Sequence, residues 1–412
     1  MISLEDAQQF VLTRIAALTP ASLPLADALG CVVAESVVAR EALPGFANSS
    51  MDGFALRADD TKTGSARLTI VESVRAGEVA SRSLDVGEAM RIMTGAPLPD
   101  GADSVCMIED VHVDEASHAV VISRVVAPGD CVRLPGEDVN VGDVLFSPGA
   151  VLRAPGVAVL AAQGLSSVLV YPRPRVGVLS TGNELATSTD ALAPGQIRDQ
   201  NRPLLLALLR QAGATPIDLG VACDTHDDTT QRVRDGVETC DAVVSTGGVS
   251  MGDADFVKTV INELGGAEAQ WMQVAIKPAK PFAFGVVGPS RTPVFGLPGN
   301  PVSTRVSFEL FVRPALRVLA GYAVREPASV KAILDVELTR SADGKLHLVH
   351  VHARMREDGR IHVVGAARRG SHLMHAIADA NALAFVPEGT ASGVGDELRV
   401  LILDHESLVG PS

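Results

Sequence analysis

Between Arg175 and Leu264 the sequence alternates short apolar runs with longer amphipathic ones, and this alternation limits the fold more than any other feature. RVGVLS leads through a loop to NRPLLLALLRQAGA. TPIDLGVA is followed by DDTTQRVRDGVE, and DAVVST by DADFVKTVINEL. Continuous apolar strands separated by crossover helices imply a parallel sheet covered on both faces. The unit closes with PVFGLPGNPVSTRVSFELFVRPALRVLAGY, read as a turn and a long helix that Pro314 kinks or breaks.

The flanks have a different texture. MISLEDAQQFVLTRIAAL places apolar residues at Leu4, Ala7, Phe10, Val11 and Ile15, which predicts an amphipathic helix capped by Ser3. Short, proline-broken strand pieces follow to residue 45. Residues 46–133 carry alternating runs such as LTIVESVRAG and AVVISRVV, the pattern of a small β-rich insert. RLPGEDVNVGDVLFSPGAVL continues the strands, and APGVAVLAAQGL reads as a short helix. Beyond Pro327, SVKAILDVEL, KLHLVHVHARM, RIHVVGAA, NALAFVPEG and DELRVLIL read as a small all-β barrel or sandwich. The expected organisation is a multidomain α/β plus β chain. Residues 1–45 and 134–173 form an elongated domain, 46–133 the insert, 174–326 the α/β domain and 327–412 the terminal β domain.

A net charge of -14, from 35 basic and 49 acidic residues, argues against a nucleic-acid partner held by a general basic surface. It leaves room for a small cationic pocket. The five cysteines have no CxxC spacing, the start lacks a signal-peptide pattern, and no apolar run is long enough for a bilayer. A cytoplasmic chain without a membrane partner is the expectation.

In open α/β sheets ligands bind beyond the carboxyl ends of the strands. LSTGNEL places Glu184 there, GVACDTHDD places Asp224, and STGGVSMGDAD places Asp253 and Asp255. Glycine loops with free N–H groups hold phosphate oxygens, and neighbouring carboxylates tolerate phosphate only with a cation between them. A Mg²⁺-assisted phosphate site follows, although an aspartate at a helix start also serves as a plain cap. IKPAKPF offers Lys277 and Lys280 as an anion clamp, while LPGNPVS reads equally as a structural cap through Asn300 or Ser303. NSSMDGFAL and MTGAPLPDGAD are explained as turns. His347, His350 and His352 make a zinc site conceivable, but a strand surface is the simpler reading. No GxSxG elbow supports a serine hydrolase.

Along nearly its whole length the chain resembles the MoeA-type molybdopterin molybdenumtransferases, the family of the gephyrin E domain. The segments that carry the resemblance are PGFANSSMDGFALRADD, MTGAPLPDGADSV, LPGEDVNVGD, LSTGNEL, GQIRDQNRPLL, STGGVSMGDADFVK, IKPAKPFAFG, FGLPGNPVS and GSHLMHAIADANALAFVPEG. The resemblance implies a central molybdopterin-binding domain, a terminal β-barrel, and a homodimer whose cleft is shared between subunits. It also implies molybdate insertion into adenylylated molybdopterin with release of AMP, Mg²⁺ as cofactor, and transient contact with a molybdopterin adenylyltransferase. By motif position, Asp52, Thr94, Asp138, Glu184, Asp224 and Asp255 would be catalytic, with Glu184, Asp224 and Asp255 on the metal. Ser180, Thr181, Gly182, Thr246, Gly247, Gly248, Ser250, Pro298, Gly299, Asn300 and Pro301 would bind the pterin substrate. Lys277, Lys280, Pro281, His350 and Ser371 would bind molybdate.

The chain departs from the family pattern at Ala279, where glycine is usual, at Gln273, and at His350, which stands for an oxyanion-binding arginine. His350 makes pH-dependent molybdate affinity an expectation. The rival readings are an adenylyltransferase, which needs neither the NSSMDG domain nor the barrel, a non-catalytic scaffold, and a generic phosphoanhydride hydrolase.

Overall fold

The computed structural model describes residues 1–186, 191–249, 256–324, 329–338, 342–366, 370–388 and 393–409. The chain divides into two compact units, Glu35–Ser167 and a larger one made of Met1–Ala34 with Val168–Ser412.

The larger unit is built on a six-stranded sheet. Its spatial order is Thr215–Ala222, Arg175–Thr181, Ala242–Thr246, Thr292–Leu297, Pro281–Val287, Gln270–Gln273. The first four strands are parallel, as the alternation implies, but Pro281–Val287 runs antiparallel to both its neighbours, so Gln270–Gln273 returns to the direction of the first four. PVFGL is therefore a strand, paired in a hairpin with PFAFGVV, and not the turn expected. A short apolar run next to proline and glycine does not reveal its partner by periodicity. Alternate residues of the central strands serve opposite faces. Val176, Val178, Val244 and Phe295 join one apolar core with Leu205 and Leu209, while Leu179, Val243 and Val294 join another with Val233, Val257 and Ile261.

The terminal helix Leu4–Leu12 packs into the first of these cores through Leu4, Ala7 and Val11, and the Ser3 side chain accepts the Asp6 N–H at 2.9 Å. The closing helical segment runs from Pro301 to Leu319 but holds a π-helical turn at Phe308–Val312. Pro314, which has no N–H to donate, follows directly on this turn, so the helix is adjusted where the sequence expects a break.

Strands Ser329–Leu334, Leu346–Met355, Ile361–Gly365, Ala382–Val386 and Glu397–Ile402 form a closed five-stranded barrel, because Leu346–Met355 pairs with both Ile361–Gly365 and Ala382–Val386. Its interior is filled by Leu334, Val351, Val363, Val386 and Val400. A two-residue strand, Ile276–Lys277, adds to it in parallel against Leu346 and His347.

The unit Glu35–Ser167 holds a second six-stranded sheet, ordered Ser104–Met107, Gly53–Leu56, Glu88–Ile92, Ala66–Val74, Ala119–Ile122, Val111–Asp114, with two short ribbons and the helix Ala154–Ala162. Gly53 in NSSMDG has a steric reason: a Cβ there would lie 2.0 Å from the Cys106 carbonyl oxygen. Gly53→Ala should therefore force the two strands apart and cost about 3 kcal/mol or more. Denaturant unfolding of the variant checks this, and a loss below about 1 kcal/mol would contradict the close approach.

Candidate functional site

The parallel strands of the larger unit end together, and their following loops surround a cavity of about 590 Å³. Of the expected pterin-site residues, Ser180, Thr181, Gly182, Thr246, Gly247, Gly248, Pro298, Gly299 and Asn300 line it, joined by Glu184 and Asp224. Pro301 begins the adjacent helix without reaching the lining, and Ser250, Asp253 and Asp255 lie outside the described residues. Gly247 and Gly248 have φ of +93° and +66°, and a Cβ on Gly247 would approach the Thr181 carbonyl oxygen to 2.7 Å. The loop thus needs glycine for both its torsion and its clearance.

Asn201 ties the loops together. Its Nδ2 donates to the Gly299 oxygen at 2.6 Å and to Thr246 Oγ1 at 3.0 Å. Thr304 Oγ1 donates to the Pro298 oxygen at 2.6 Å. Around this frame Ser180 Oγ, Thr181 Oγ1 and Asn201 Oδ1 are buried without a hydrogen-bond partner. Buried polar atoms are costly unless satisfied, so these are ready for a polar ligand.

Two carboxylates stand at the same mouth. Asp224 is clipped to Asn183: the Asn183 N–H donates to Asp224 Oδ2 and the Asp224 N–H to Asn183 Oδ1, both at 3.1 Å. Glu184 folds back over Gly182, where a Cβ would lie 2.7 Å from both of its carboxylate oxygens. Among the described residues no cluster of three metal-ligating side chains occurs. Two carboxylates on a cavity with room for phosphate oxygens nevertheless suit Mg²⁺, which commonly takes one or two protein carboxylates beside those of its substrate.

A second cavity, of about 570 Å³, shares Pro281, Asn300 and Ser303 with the first. Lys277, Lys280, Pro281, His350 and Ser371 all line it, so the structure brings together every residue expected at the molybdate nook. Lys345 adds a third ammonium. Asn300 Nδ2 donates to Ser371 Oγ at 3.2 Å and makes no side-chain cap on its own helix, which removes the structural-cap reading for Asn300.

The histidines behave differently from expectation. His347 and His350 are buried, not on a strand surface, and His347 Nε2 bonds Asp343 Oδ1 at 2.9 Å. The His350 Nε2 has no partner, and burial, with the nearby Arg305 charge second, pushes its pKa down to about 3. His350 is therefore a neutral imidazole from pH 6 to 8. In the empty pocket the imidazole is thus not the titrating surface group that the strand-surface reading expects, because burial beside a guanidinium disfavours its charged form.

In the other unit, Asp52 and Thr94 meet. The Thr94 N–H and Oγ1 both donate to Asp52 Oδ1 at 2.7 Å. These bonds, with the Arg91 charge, hold the Asp52 carboxyl below its ordinary range. NSSMDG and MTGAP are thus one paired motif: Ser49 N–H donates to the Ala96 oxygen, and the Gly95 N–H to the Ser49 oxygen. Asp138 lies on an exposed turn, its N–H donating to the Leu43 oxygen. Reading residues alone missed the frame residue Asn201, the wall residues Ser303 and Lys345, and Asp343. Asn201 stands in the quoted GQIRDQNRPLL, but an asparagine opening a helix also reads as an ordinary helix start.

Three family descriptions match the chain: MoeA N-terminal region (domain I and II) over residues 2–164, "Probable molybdopterin binding domain" over 177–318, and MoeA C-terminal region (domain IV) over 331–403. The molybdopterin molybdenumtransferase of Haemophilus influenzae is 35% identical over 383 residues, covering 92% of this chain and 93% of the relative. That of Bacillus subtilis is 34% identical over 397 residues, covering 93% and 90%. The crystal structure of the molybdopterin biosynthesis moeA protein from Pyrococcus horikoshii OT3 superposes with a TM-score of 0.79 at 29% identity, covering 98% of this chain and all of that one.

The neutral His350 has a measurable consequence. The unfolded chain protonates this histidine near pH 6.5 and the folded chain does not until about pH 3. Its contribution is therefore fully favourable above pH 6.5 and is lost at up to about 1.4 kcal/mol per pH unit as pH falls toward 3. Between pH 7.5 and 5.5, wild type should lose about 1.4 kcal/mol more stability than His350→Gln in denaturant titrations. Parallel pH profiles would show that His350 takes up a proton in the fold.

Proposed function

Since the chain belongs to the MoeA family of molybdopterin molybdenumtransferases, we propose that it transfers molybdenum from molybdate to the dithiolene sulfurs of adenylylated molybdopterin and cleaves the adenylyl phosphoanhydride, releasing AMP. It is a transferase of molybdenum cofactor biosynthesis. The observation that carries the detailed reading is the pair of adjoining cavities with the common walls Pro281, Asn300 and Ser303. One offers a glycine loop, unmet polar atoms and two carboxylates, the chemistry that a pyrophosphate-linked pterin needs. The other is lined by ammonium groups and suits a tetrahedral dianion.

In this reading Gly247, Gly248 and the Ser180–Gly182 loop hold the substrate's polar groups, and the Asn201 frame keeps the loops open. Glu184 and Asp224 would hold Mg²⁺, together with Asp255. When bound, the ion would neutralise phosphate charge and polarise the phosphoanhydride. Lys277, Lys280 and Ser371 would bind molybdate, with His350 as a neutral wall. A cytoplasmic setting, with transient delivery from a molybdopterin adenylyltransferase, fits the five free thiols and the nature of the substrate. Among the described residues no helix is long and apolar enough to cross a membrane.

Incubation with adenylylated molybdopterin, Mg²⁺ and molybdate, following AMP release together with cofactor formation, tests the reaction. Glu184→Gln and Asp224→Asn each keep shape and remove a charge. Both should lower AMP release by at least 100-fold with an unchanged circular dichroism spectrum, and near-wild-type turnover in both would remove the metal reading. Adenylyl transfer from ATP to molybdopterin would instead favour the adenylyltransferase.

A homodimer completes the proposal, with Asp52 and Thr94 of one copy serving the site of the other. It is supported by the preorganised, ionised Asp52, which two hydrogen bonds from Thr94 hold in place within the unit Glu35–Ser167. Mixing inactive Asp52→Asn with inactive Asp224→Asn chains should return activity, because some mixed dimers hold one intact site. Mixed dimers that form and stay inactive would rule out sharing.

A further inference from the structure

The cationic cavity carries its own counter-anion. Asp343 stands beside the cavity wall on the segment leading into strand Leu346–Met355. Its Oδ2 lies 3.3 Å from Lys277 Nζ and 3.9 Å from Lys345 Nζ, and its Oδ1 accepts from His347 Nε2 at 2.9 Å. Lys277, Lys345 and His347 all line the cavity. One carboxylate therefore engages two of the three ammonium groups that face the space. Lys280, also on the lining, has no ion-pair partner among the described residues.

We propose that Asp343 sets the affinity of this pocket: it holds Lys277 while the site is empty and yields that ammonium to the entering oxyanion. The inference rests on the oxyanion reading of the cavity. The hydrogen bond from His347, with Lys277 second, holds the Asp343 carboxyl well below the usual carboxylate range, so the counter-charge is present at every working pH. His347 also anchors the carboxylate, which leaves Lys277 as the mobile member. Lys277 is the more exposed partner, at 53% against 22% for Asp343, and its flexible stem can turn from one anion to another.

An entering dianion must replace the carboxylate at Lys277, so binding is weaker than the three ammonium groups alone would give. The penalty is one of charge and applies to any oxyanion of the same charge. Specificity then comes from shape and from the bonds of Lys280 and Ser371, while Asp343 moves the whole affinity scale. A purely structural role predicts the opposite sign. If Asp343 only positioned Lys277 for the ligand, its removal would weaken binding.

The experiment measures the molybdate concentration giving half-maximal AMP release by the full-length protein, with sulfate as a competing probe. Asp343→Asn should lower that concentration about threefold to tenfold, the scale of one partly exposed charge pair. It should lower the sulfate inhibition constant by a similar factor. Asp343→Glu, which keeps the charge, should stay within about twofold of wild type, and the gain from Asp343→Asn should shrink in a Lys277→Met background. If Asp343→Asn does not fold, Asp343→Ser carries the same test. An unchanged or raised half-saturating concentration, or an equal gain from Asp343→Glu, overturns the proposal. Lys280→Ala separates the two levels. If it leaves molybdate dependence at the wild-type value, the oxyanion reading itself fails. If it weakens molybdate while Asp343→Asn changes nothing, only the role of Asp343 is wrong.

Discussion

The site depends on a short stretch of backbone pairing at residues 274–277. The Val274 N–H donates to the Lys280 oxygen at 2.8 Å, and the Ala275 N–H to the Ile2 oxygen at 2.8 Å. The Leu346 N–H donates to the Ala275 oxygen at 2.9 Å. One segment is thus bound by its own return, by the chain terminus and by the barrel. These are obligatory backbone partners in a buried setting, and each left unmade would be costly. The pairing carries the α/β sheet into the barrel and places Lys277 beside His347 in register. Without it the lysines of IKPAKP and the barrel residues would have no common wall.

The same over-determination explains Ala279. Its φ is +75°, a region where an L-residue pays roughly 1–2 kcal/mol relative to its ordinary conformations. Ala279 is also buried, and its methyl packs in the core that includes Ile276, Leu348 and Phe282. Strain of this size persists only where surrounding structure leaves no alternative. The turn between Lys277 and Lys280 is held, so the two ammonium groups project from a stiff support, and the alanine exchanges torsional ease for packing.

Much of this was legible in the sequence. Strand–helix alternation locates the sheet, and the rule that ligands bind beyond strand ends points to Glu184 and Asp224, which line the cavity. The barrel strands were visible as five evenly spaced runs. What could not be read were relations across long separations. PFAFGVV and PVFGL are apolar throughout, so their antiparallel pairing has no periodic signature. Asp52 and Thr94 lie in two turns whose composition is explained locally, and only their mutual hydrogen bonds make them a pair. A regular strand alternation makes His350 a titratable surface residue. In Leu346–Met355 both His347 and His350 are buried, three positions apart, which a strict period of two forbids. Burial, not residue type, decided its charge.

The chain's net charge of -14 and a pocket walled by ammonium groups are reconciled locally. Charges more than about 8–10 Å apart are largely screened at physiological salt, so the general negative surface contributes little inside the pocket. The pocket wall carries Lys277, Lys280 and Lys345, and the guanidinium of Arg305 acts on the buried His350. Its Nη1 and Nη2 donate to the Ile377 and Ala380 oxygens at 3.0 and 3.1 Å, and Glu309 is the carboxylate whose charge acts on it. Arg305 thereby holds the turn that supplies Ile377 to the cavity lining, and its charge disfavours a proton on His350. An arginine at the wall would supply charge directly. Here the fixed charge is moved one layer back and bound to carbonyl oxygens, and a neutral imidazole takes the wall position. The positive field is kept while the His350 wall position is uncharged, and Lys277, Lys280 and Lys345 supply the ammonium groups of the lining.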